Sequence, residues 1–195
     1  FWAAIVGTRT PSEEGKAAAW NLGVELGRLG VVVVSGLARG IDAAAHRGAV
    51  ESGGLTVAVL GQGIDWVFPA GNRNLARQIV AGGGCLLSEY GPGTPALAYH
   101  FPARNRLVSG LCRTVVVVEA PKNSGALITA DLGLDQGRDV VVHQVGLETV
   151  RGDGTRSLAE QGACVIGSAQ DLLQMWNEGG VGLADPQQKL PWEGP

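Results

Sequence analysis

Six short apolar runs constrain the fold of this 195-residue chain more than any other feature. They are Ala3–Val6, Val31–Val34, Leu55–Leu60, Cys85–Leu87, Thr114–Val118 and Val140–Val142, and glycine recurs in the loops that follow them. The runs are continuous rather than alternating, which predicts strands that are covered on both faces, as in a parallel sheet.

Stretches with helical spacing separate these runs. We predict helices over Ser12–Leu29, Asp42–Ser52, Arg73–Ala81, Ala103–Leu111, Ala126–Gln136 and Gln170–Trp176, with Ser12 and Asp42 as N-caps. Strand and helix alternation predicts an α/β chain with a three-layer, extended Rossmann-like fold and a mostly parallel sheet. We expect residues 1–178 to form this domain. Residues 179–195, with four Gly and three Pro, read as a linker or tail toward a further domain.

Composition bounds the kind of partner. Net charge is −3, so a global basic field is absent and any anion site must be local. We expect Cys85, Cys112 and Cys164 to be buried free thiols in a reducing compartment, the cytoplasm, and neither they nor the histidines show metal-ligand spacing. We expect no membrane-spanning run and no signal peptide ahead of the first strand. The chain opens at Phe1 without Met, which suggests a fragment of a longer protein.

Two loops near the start of the chain offer weak anion sites. Gly7, Thr8 and Arg9 follow the first strand, and their alternative is a simple turn with an exposed arginine. Ser35 and Gly36 follow the second strand, and Arg39 is either a phosphate contact or a solvated charge. Gly61–Asp65 resembles half of a dinucleotide fingerprint, but Trp66 stands at the third glycine position and a nicotinamide site is rejected.

The stretch Tyr99–Gly110 is locally positive, because Gly91 to Val118 contains no Asp or Glu. Phe101 can stack on a base or pack in the core. Arg104 and Arg106 are about 200° apart on a helix, so at most one should reach a bound phosphate while the other binds a carboxylate or caps a strand.

A fourth loop, Lys122, Asn123, Ser124 and Gly125, again places donors at a helix start. The carboxyl ends of parallel strands meet at one edge of the sheet, so the four loops should form one composite anion-binding cleft. Several loops suit a strand of nucleic acid better than a single phosphate.

Six motifs together resemble the DprA/Smf family, the DNA-processing protein A of bacterial natural transformation. They are GTR, VSGLARGIDAAAHRGAV, TVAVLGQGID, LLSEYGPGTP, HFPARNRLVSGL and VVEAPKNSGALITA, in family order between about Ala4 and Leu173. The resemblance implies a Rossmann-like domain that binds single-stranded DNA with little sequence preference, helps load the RecA recombinase and often dimerises. It implies no enzyme chemistry and no cofactor. Family members often add a helical SAM-like domain and a winged-helix-like domain, neither of which this sequence carries.

The resemblance also implies where DNA binds. The family's pocket maps onto Arg9, the turn at Ser35 and Gly36, and Phe101 with Arg104, Asn105 and Arg106. The family tends to have a lysine three residues before the phenylalanine, where this chain has Ala98, and Lys122 or Arg39 are candidates to compensate. A second departure is the run from His143 to Gly146, where the family has a Val-Pro-Gly-like turn.

Two alternatives stay open beside DNA binding. The first is a nucleotide phosphoribohydrolase with Glu119 as its catalytic carboxylate, although the Pro-Gly-Gly-x-Gly-Thr run of such enzymes is absent. The second is a partner-only module whose DNA pocket has decayed, for which Ala98 is the support. For the homodimer, Leu158, Ile166 and Leu172 are candidate interface residues.

Overall fold

The computed structural model describes residues 1–178, so the tail predicted for residues 179–195 lies outside the described residues. The strands are β1 Trp2–Val6, β2 Val32–Ser35, β3 Thr56–Val59, β4 Cys85–Leu87, β5 Thr114–Val117, β6 Asp139–His143 and β7 Cys164–Ile166. The helices are α1 Glu13–Arg28, α2 Ile41–Glu51, α3 Arg73–Ala81, α4 His100–Gly110, α5 Gly125–Asp135, α6 Val145–Glu148, α7 Asp153–Glu160 and α8 Ala169–Glu178. A 3-10 turn, Ala70–Asn72, precedes α3.

The seven strands form one parallel sheet in the order β4-β3-β2-β1-β5-β6-β7. The predicted α/β, Rossmann-like architecture is therefore confirmed. The chain winds outward from β1 in one direction through β2 to β4, and in the other from β5 to β7. This reversal between β1 and β5 opens a crevice at the carboxyl edge of the sheet.

Both faces of the sheet are covered, as the continuous apolar runs predicted. Ala3 and Ile5 of β1 belong to a core cluster with residues of α1, α2 and α8. Ala4 and Val6, which point to the other face, pack with residues of α4, α5 and α7. The six predicted strands and six predicted helices are all present, with ends shifted by three residues or fewer.

Three short elements were not predicted: β7, α6 and α7. β7 has only three residues, and Cys164 and Val165 are exposed at the sheet's edge, so its sequence lacks a buried apolar run. The run from His143 to Gly146, noted for its departure from the family turn, ends β6 and starts α6.

Two groups of sequence expectations about burial were wrong. Cys112 is buried, and burial raises the pKa of its thiol, but Cys85 and Cys164 are exposed. The three apolar residues offered for a dimer interface are instead core residues: Leu158, Ile166 and Leu172 are 7%, 3% and 0% exposed. Apolar character indicates that a residue is buried without showing whether a core or a partner buries it.

Candidate nucleic-acid interface

A cavity of about 690 Å³ lies at the reversal point between β1 and β5, and we call it the switch-point cleft. The loops after β1, β2 and β5 and the start of α4 all contribute to it. Of the residues predicted from sequence, those lining the cleft are Gly7, Thr8, Arg9, Gly36, Phe101, Arg104, Asn105, Ser124 and Gly125. The structure thus brings together the four loops that the sequence separates by up to 118 residues.

The loop after β1 is held by its backbone. The N–H of Thr8 donates to the carbonyl of Glu119 over 2.7 Å, and the carbonyl of Thr8 accepts from the N–H of Ile41 over 3.2 Å. The Arg9 side chain is exposed, with its Cζ atom 5.6 Å from the centroid of the Phe101 ring. A fixed backbone and an exposed guanidinium together suit a contact to an anion in the cleft.

Glu119 is an anchor for α1 and does not line the cleft. Its side chain is 0% exposed, and its carboxylate accepts from the Ser12 hydroxyl over 2.5 Å and from the Ser12 N–H over 3.1 Å. Ser12 caps α1 as predicted, by accepting from Gly15 N–H over 2.9 Å. Because these hydrogen bonds occupy the Glu119 carboxylate, it is not placed to attack or protonate a ligand. This argues against the phosphoribohydrolase alternative.

Ser35 and Asp42 do not have the roles that the sequence suggested. The Ser35 hydroxyl donates to the carbonyl of Ile5 over 2.6 Å, so Ser35 joins β2 to β1 and lies outside the cleft lining. Asp42 does not cap α2, whose N-cap is Gly40. Its carboxylate instead reaches back to the N–H groups of Gly36 and Ala38, at 3.1 and 3.3 Å.

The loop after β2 contains an unusual backbone conformation at Leu37. Its φ of +56° is in the left-handed region, which apolar L-residues rarely adopt. The Asn72 amide, 5% exposed, donates to the carbonyls of Leu37 and Ala38 over 2.9 and 3.2 Å. Asn72 therefore holds this loop in the shape that presents Gly36 and Ala38 to the cleft, and sequence inspection had not singled it out.

Arg104 forms the floor of the cleft and is only 5% exposed. Its guanidinium donates to the carbonyls of Gly36 and Val59. Burial lowers the pKa of Arg104 to about 10, an effect that the nearby Asp42 carboxylate opposes, so the guanidinium stays charged at neutral pH. Burial likewise raises the pKa of Asp42, against the opposing effect of Arg104.

Beneath this pair lies His46, which is fully buried. Its Nδ1 atom is 2.7 Å from the Thr56 hydroxyl. Burial, with a further contribution from the Arg104 charge, lowers the pKa of His46 to about 3. The imidazole is therefore neutral at physiological pH, and the positive charge of the floor comes from Arg104.

The two arginines of α4 divide their roles as the helical spacing predicted. Arg104 points into the cleft, whereas the exposed Arg106 pairs with the carboxylate of Glu89 and does not line the cleft. Asn105, between them, donates its side-chain amide to the carbonyl of Gly125 over 3.2 Å. Asn105 thus joins the start of α5 to α4.

The loop before α5 is only partly in the cleft. Ser124 and Gly125 line it, whereas Lys122 and Asn123 are exposed and lie outside the lining. Asn123 has a φ of +62°, which turns the chain into the helix. The hydroxyl oxygen of Ser124 is buried without a hydrogen-bond partner among the described residues.

Ala98 lines the cleft, so the lysine that the family tends to have at this position is missing from the cleft lining. Of the two candidates for compensation, Lys122 lies outside the cleft. Arg39 lines a smaller recess of about 250 Å³ that shares Arg9, Phe101 and Arg104 with the cleft. We call this the side recess.

Within residues 1–178, no cluster of acidic, histidine and cysteine side chains is suited to holding a metal ion. Over the same span, no helix combines the length and apolar character that crossing a bilayer requires. The cleft itself is lined by arginines, aromatic rings and glycine-rich loop backbone.

Comparison with known proteins identifies the family of this chain. The family model of DNA recombination-mediator protein A matches residues 2–177. The chain belongs to this family. It is 42% identical over 172 residues to the DNA processing protein DprA of Streptococcus pneumoniae, covering 87% of this chain and 60% of that protein. It is 39% identical to Protein Smf of Escherichia coli over 89% of this chain and 46% of that protein. The chain thus spans about half the length of these relatives.

Solved structures of family members have the same fold. The X-ray structure of the Streptococcus pneumoniae protein superposes with a TM-score of 0.80 and covers 88% of this chain and 60% of that one. DNA processing protein A of Helicobacter pylori, whose structure describes a single-stranded DNA binding mode, gives a TM-score of 0.82 at 30% identity. That match covers 92% of this chain and 81% of that one. The DprA/Smf resemblance of the sequence motifs is confirmed.

Proposed function

We propose that the switch-point cleft binds single-stranded DNA without strong sequence preference. The observation that carries the proposal is the joining of Arg9, Arg104 and Phe101 in one cleft at the reversal of the sheet. Arginine suits the phosphates and an aromatic ring suits the base faces of an unpaired strand. The single-stranded DNA binding of the Helicobacter pylori relative supports the same partner.

The proposed preference for single strands follows from the kind of contact. Stacking on Phe101 requires a base that has left its pair, and a duplex keeps its bases stacked on one another. The proposed lack of sequence preference has a similar origin. Every nucleotide offers a phosphate and a π-face, so charged and aromatic contacts alone do not distinguish bases.

This proposal is tested by fluorescence anisotropy with a labelled oligo-dT and the matching duplex over a range of salt concentrations. We expect tighter binding of the single strand and comparable affinity for oligo-dC. With about three phosphates neutralised, log K should fall against log salt with a slope of about −2. Equal affinity for strand and duplex at every salt concentration would overturn the proposal.

The proposed partners extend beyond DNA. We propose that the protein supports RecA loading in natural transformation and homologous recombination, in the cytoplasm, as family membership suggests. We expect the chain to raise the rate of RecA filament formation on a strand precoated with single-strand-binding protein. A chain that binds oligo-dT but leaves this rate unchanged contradicts the RecA proposal alone.

A homodimer is also proposed. The outer edge of β7 pairs with no strand among residues 1–178, and the Val165 side chain there is 49% exposed. An open edge strand with an apolar side chain is suited to burial against a second copy. Light scattering of the chain should give twice the monomer mass of 20.1 kDa, and a monomer at all concentrations would contradict the dimer.

A further inference from the structure

The side recess contains a second aromatic ring that the sequence motifs did not identify. Its walls include Phe68 and Phe101, the arginines Arg9, Arg39 and Arg104, and Pro69. Phe68 also lines the switch-point cleft, so the recess and the cleft are continuous. A volume of about 250 Å³ is just below the range of whole-ligand sites and suits a part of a nucleotide chain.

The Phe101 ring is surrounded by protein groups. The Arg9 guanidinium lies over it, at 5.6 Å from the centroid. One ring edge contacts Gly61, where an added Cβ atom would lie 2.9 Å from Cδ1 of Phe101. The Phe68 ring is on another side, with a centroid separation of 5.7 Å and an angle of 34° between the ring planes. Phe101 therefore has limited free surface for a base.

No base fits between the two phenylalanine rings. Two layers of van der Waals contact require a separation of about 7 Å, and the planes would have to be parallel. The rings instead form one continuous aromatic surface. The part of that surface contributed by Phe68 is the more accessible, because Phe68 is 44% exposed whereas Phe101 is half-buried.

We propose that Phe68 is a stacking platform for a base of single-stranded DNA, next to the one that Phe101 contacts. The inference rests on the proposed function of the cleft. Arg39, exposed in the same recess, is placed to bind the phosphate that joins the two nucleotides. The strand would then run from the Ser124 side of the cleft, across Arg104 and Phe101, onto Phe68 and Arg39.

The test compares two probes of equal length, oligo-dT and an oligonucleotide whose central nucleotides are abasic. Phe68→Leu, which keeps apolar bulk but loses the ring, should bind oligo-dT about fivefold or more weakly than the wild type. It should bind the abasic probe as the wild type does, because that probe offers no base to stack. Phe68→Trp should retain affinity for oligo-dT. Trp2→Leu removes an aromatic residue, 37% exposed, from the opposite edge of the sheet and should change neither affinity.

Three outcomes separate the explanations. An equal loss on both probes would show a structural role for Phe68 and overturn the inference. Unchanged oligo-dT binding by Phe68→Leu, together with weaker binding by Phe101→Ala, would overturn it as well and leave the cleft as the DNA site. Failure of the wild-type chain to prefer oligo-dT over duplex would instead refute the proposed function on which the inference rests.

Discussion

Replacing Arg104 with alanine is expected to lower the free energy of unfolding by about 3–5 kcal/mol and to remove most of the affinity for single-stranded DNA. The substitution leaves the Asp42 carboxylate buried without its neighbouring cation, and the carbonyls of Gly36 and Val59 lose a donor. Urea denaturation measures the stability change. Anisotropy with oligo-dT measures the loss of binding, both without urea and at urea concentrations that leave the variant folded.

Arg106→Ala is the matched control on the same helix. Arg106 makes an exposed ion pair with Glu89, and such pairs contribute about 0–1 kcal/mol. Similar losses of unfolding free energy in the two variants would contradict the assignment of Arg104 as the buried one of the two arginines in α4.

Lowering the pH should reduce the difference in unfolding free energy between Arg104→Ala and the wild type. The Arg104 charge is the largest of the influences that lower the pKa of Asp42, so its removal raises the folded-state pKa of Asp42 further above the usual carboxyl value. A carboxyl whose pKa is higher in the folded than in the unfolded state destabilises the fold when it is ionised. This destabilisation is complete above the folded-state pKa and is lost as the pH falls through that value toward the unfolded-state pKa. The difference in unfolding free energy should therefore be smaller at pH 5 than at pH 7.

Gly48→Ala is expected to destabilise the protein by about 1–3 kcal/mol or more. Gly48 lies in α2, where it faces α1, and an added Cβ atom would overlap the Trp20 carbonyl oxygen and approach the Val24 nitrogen to 2.9 Å. These are backbone atoms, so the two helices have to move apart rather than one side chain turn away. Thermal denaturation followed by circular dichroism measures the effect.

Gly110→Ala is the control for Gly48→Ala. Gly110 ends α4, and its added Cβ atom would lie 3.4 Å from the Gln136 side chain, an ordinary van der Waals contact. Alanine there should be neutral, or should stabilise the helix by up to about 1 kcal/mol, because it lowers the entropy of the unfolded chain. Equal destabilisation at both positions would contradict the close approach of α1 and α2.

The sequence predicted the structure correctly where a residue pattern is compatible with a single arrangement. Continuous runs such as Val31–Val34 indicate strands that are buried on both faces, and the helical angle between Arg104 and Arg106 requires different surroundings for the two. Both predictions are confirmed. The convergence of the four loops was also predictable, since it follows from the parallel sheet.

What could not be predicted depends on contacts between distant residues. The Asp42 carboxylate binds an upstream loop instead of capping α2, and the buried Glu119 pairs with Ser12, 107 residues away. Phe68 was missed because an isolated aromatic residue next to proline carries no periodic signal. Its place beside Phe101 arises only when β3 and α4 come together.

The most direct measurement is the affinity of labelled oligo-dT for the wild type, Arg9→Ala and Arg28→Ala across a range of salt concentrations. Arg28 ends α1 at the opposite edge of the sheet, so its substitution removes the same charge away from the cleft. Arg9→Ala should bind all single-stranded sequences more weakly, with a salt slope shallower by about 0.7, whereas Arg28→Ala should match the wild type. Equal affinity of the wild type and Arg9→Ala would contradict the placement of DNA in the switch-point cleft.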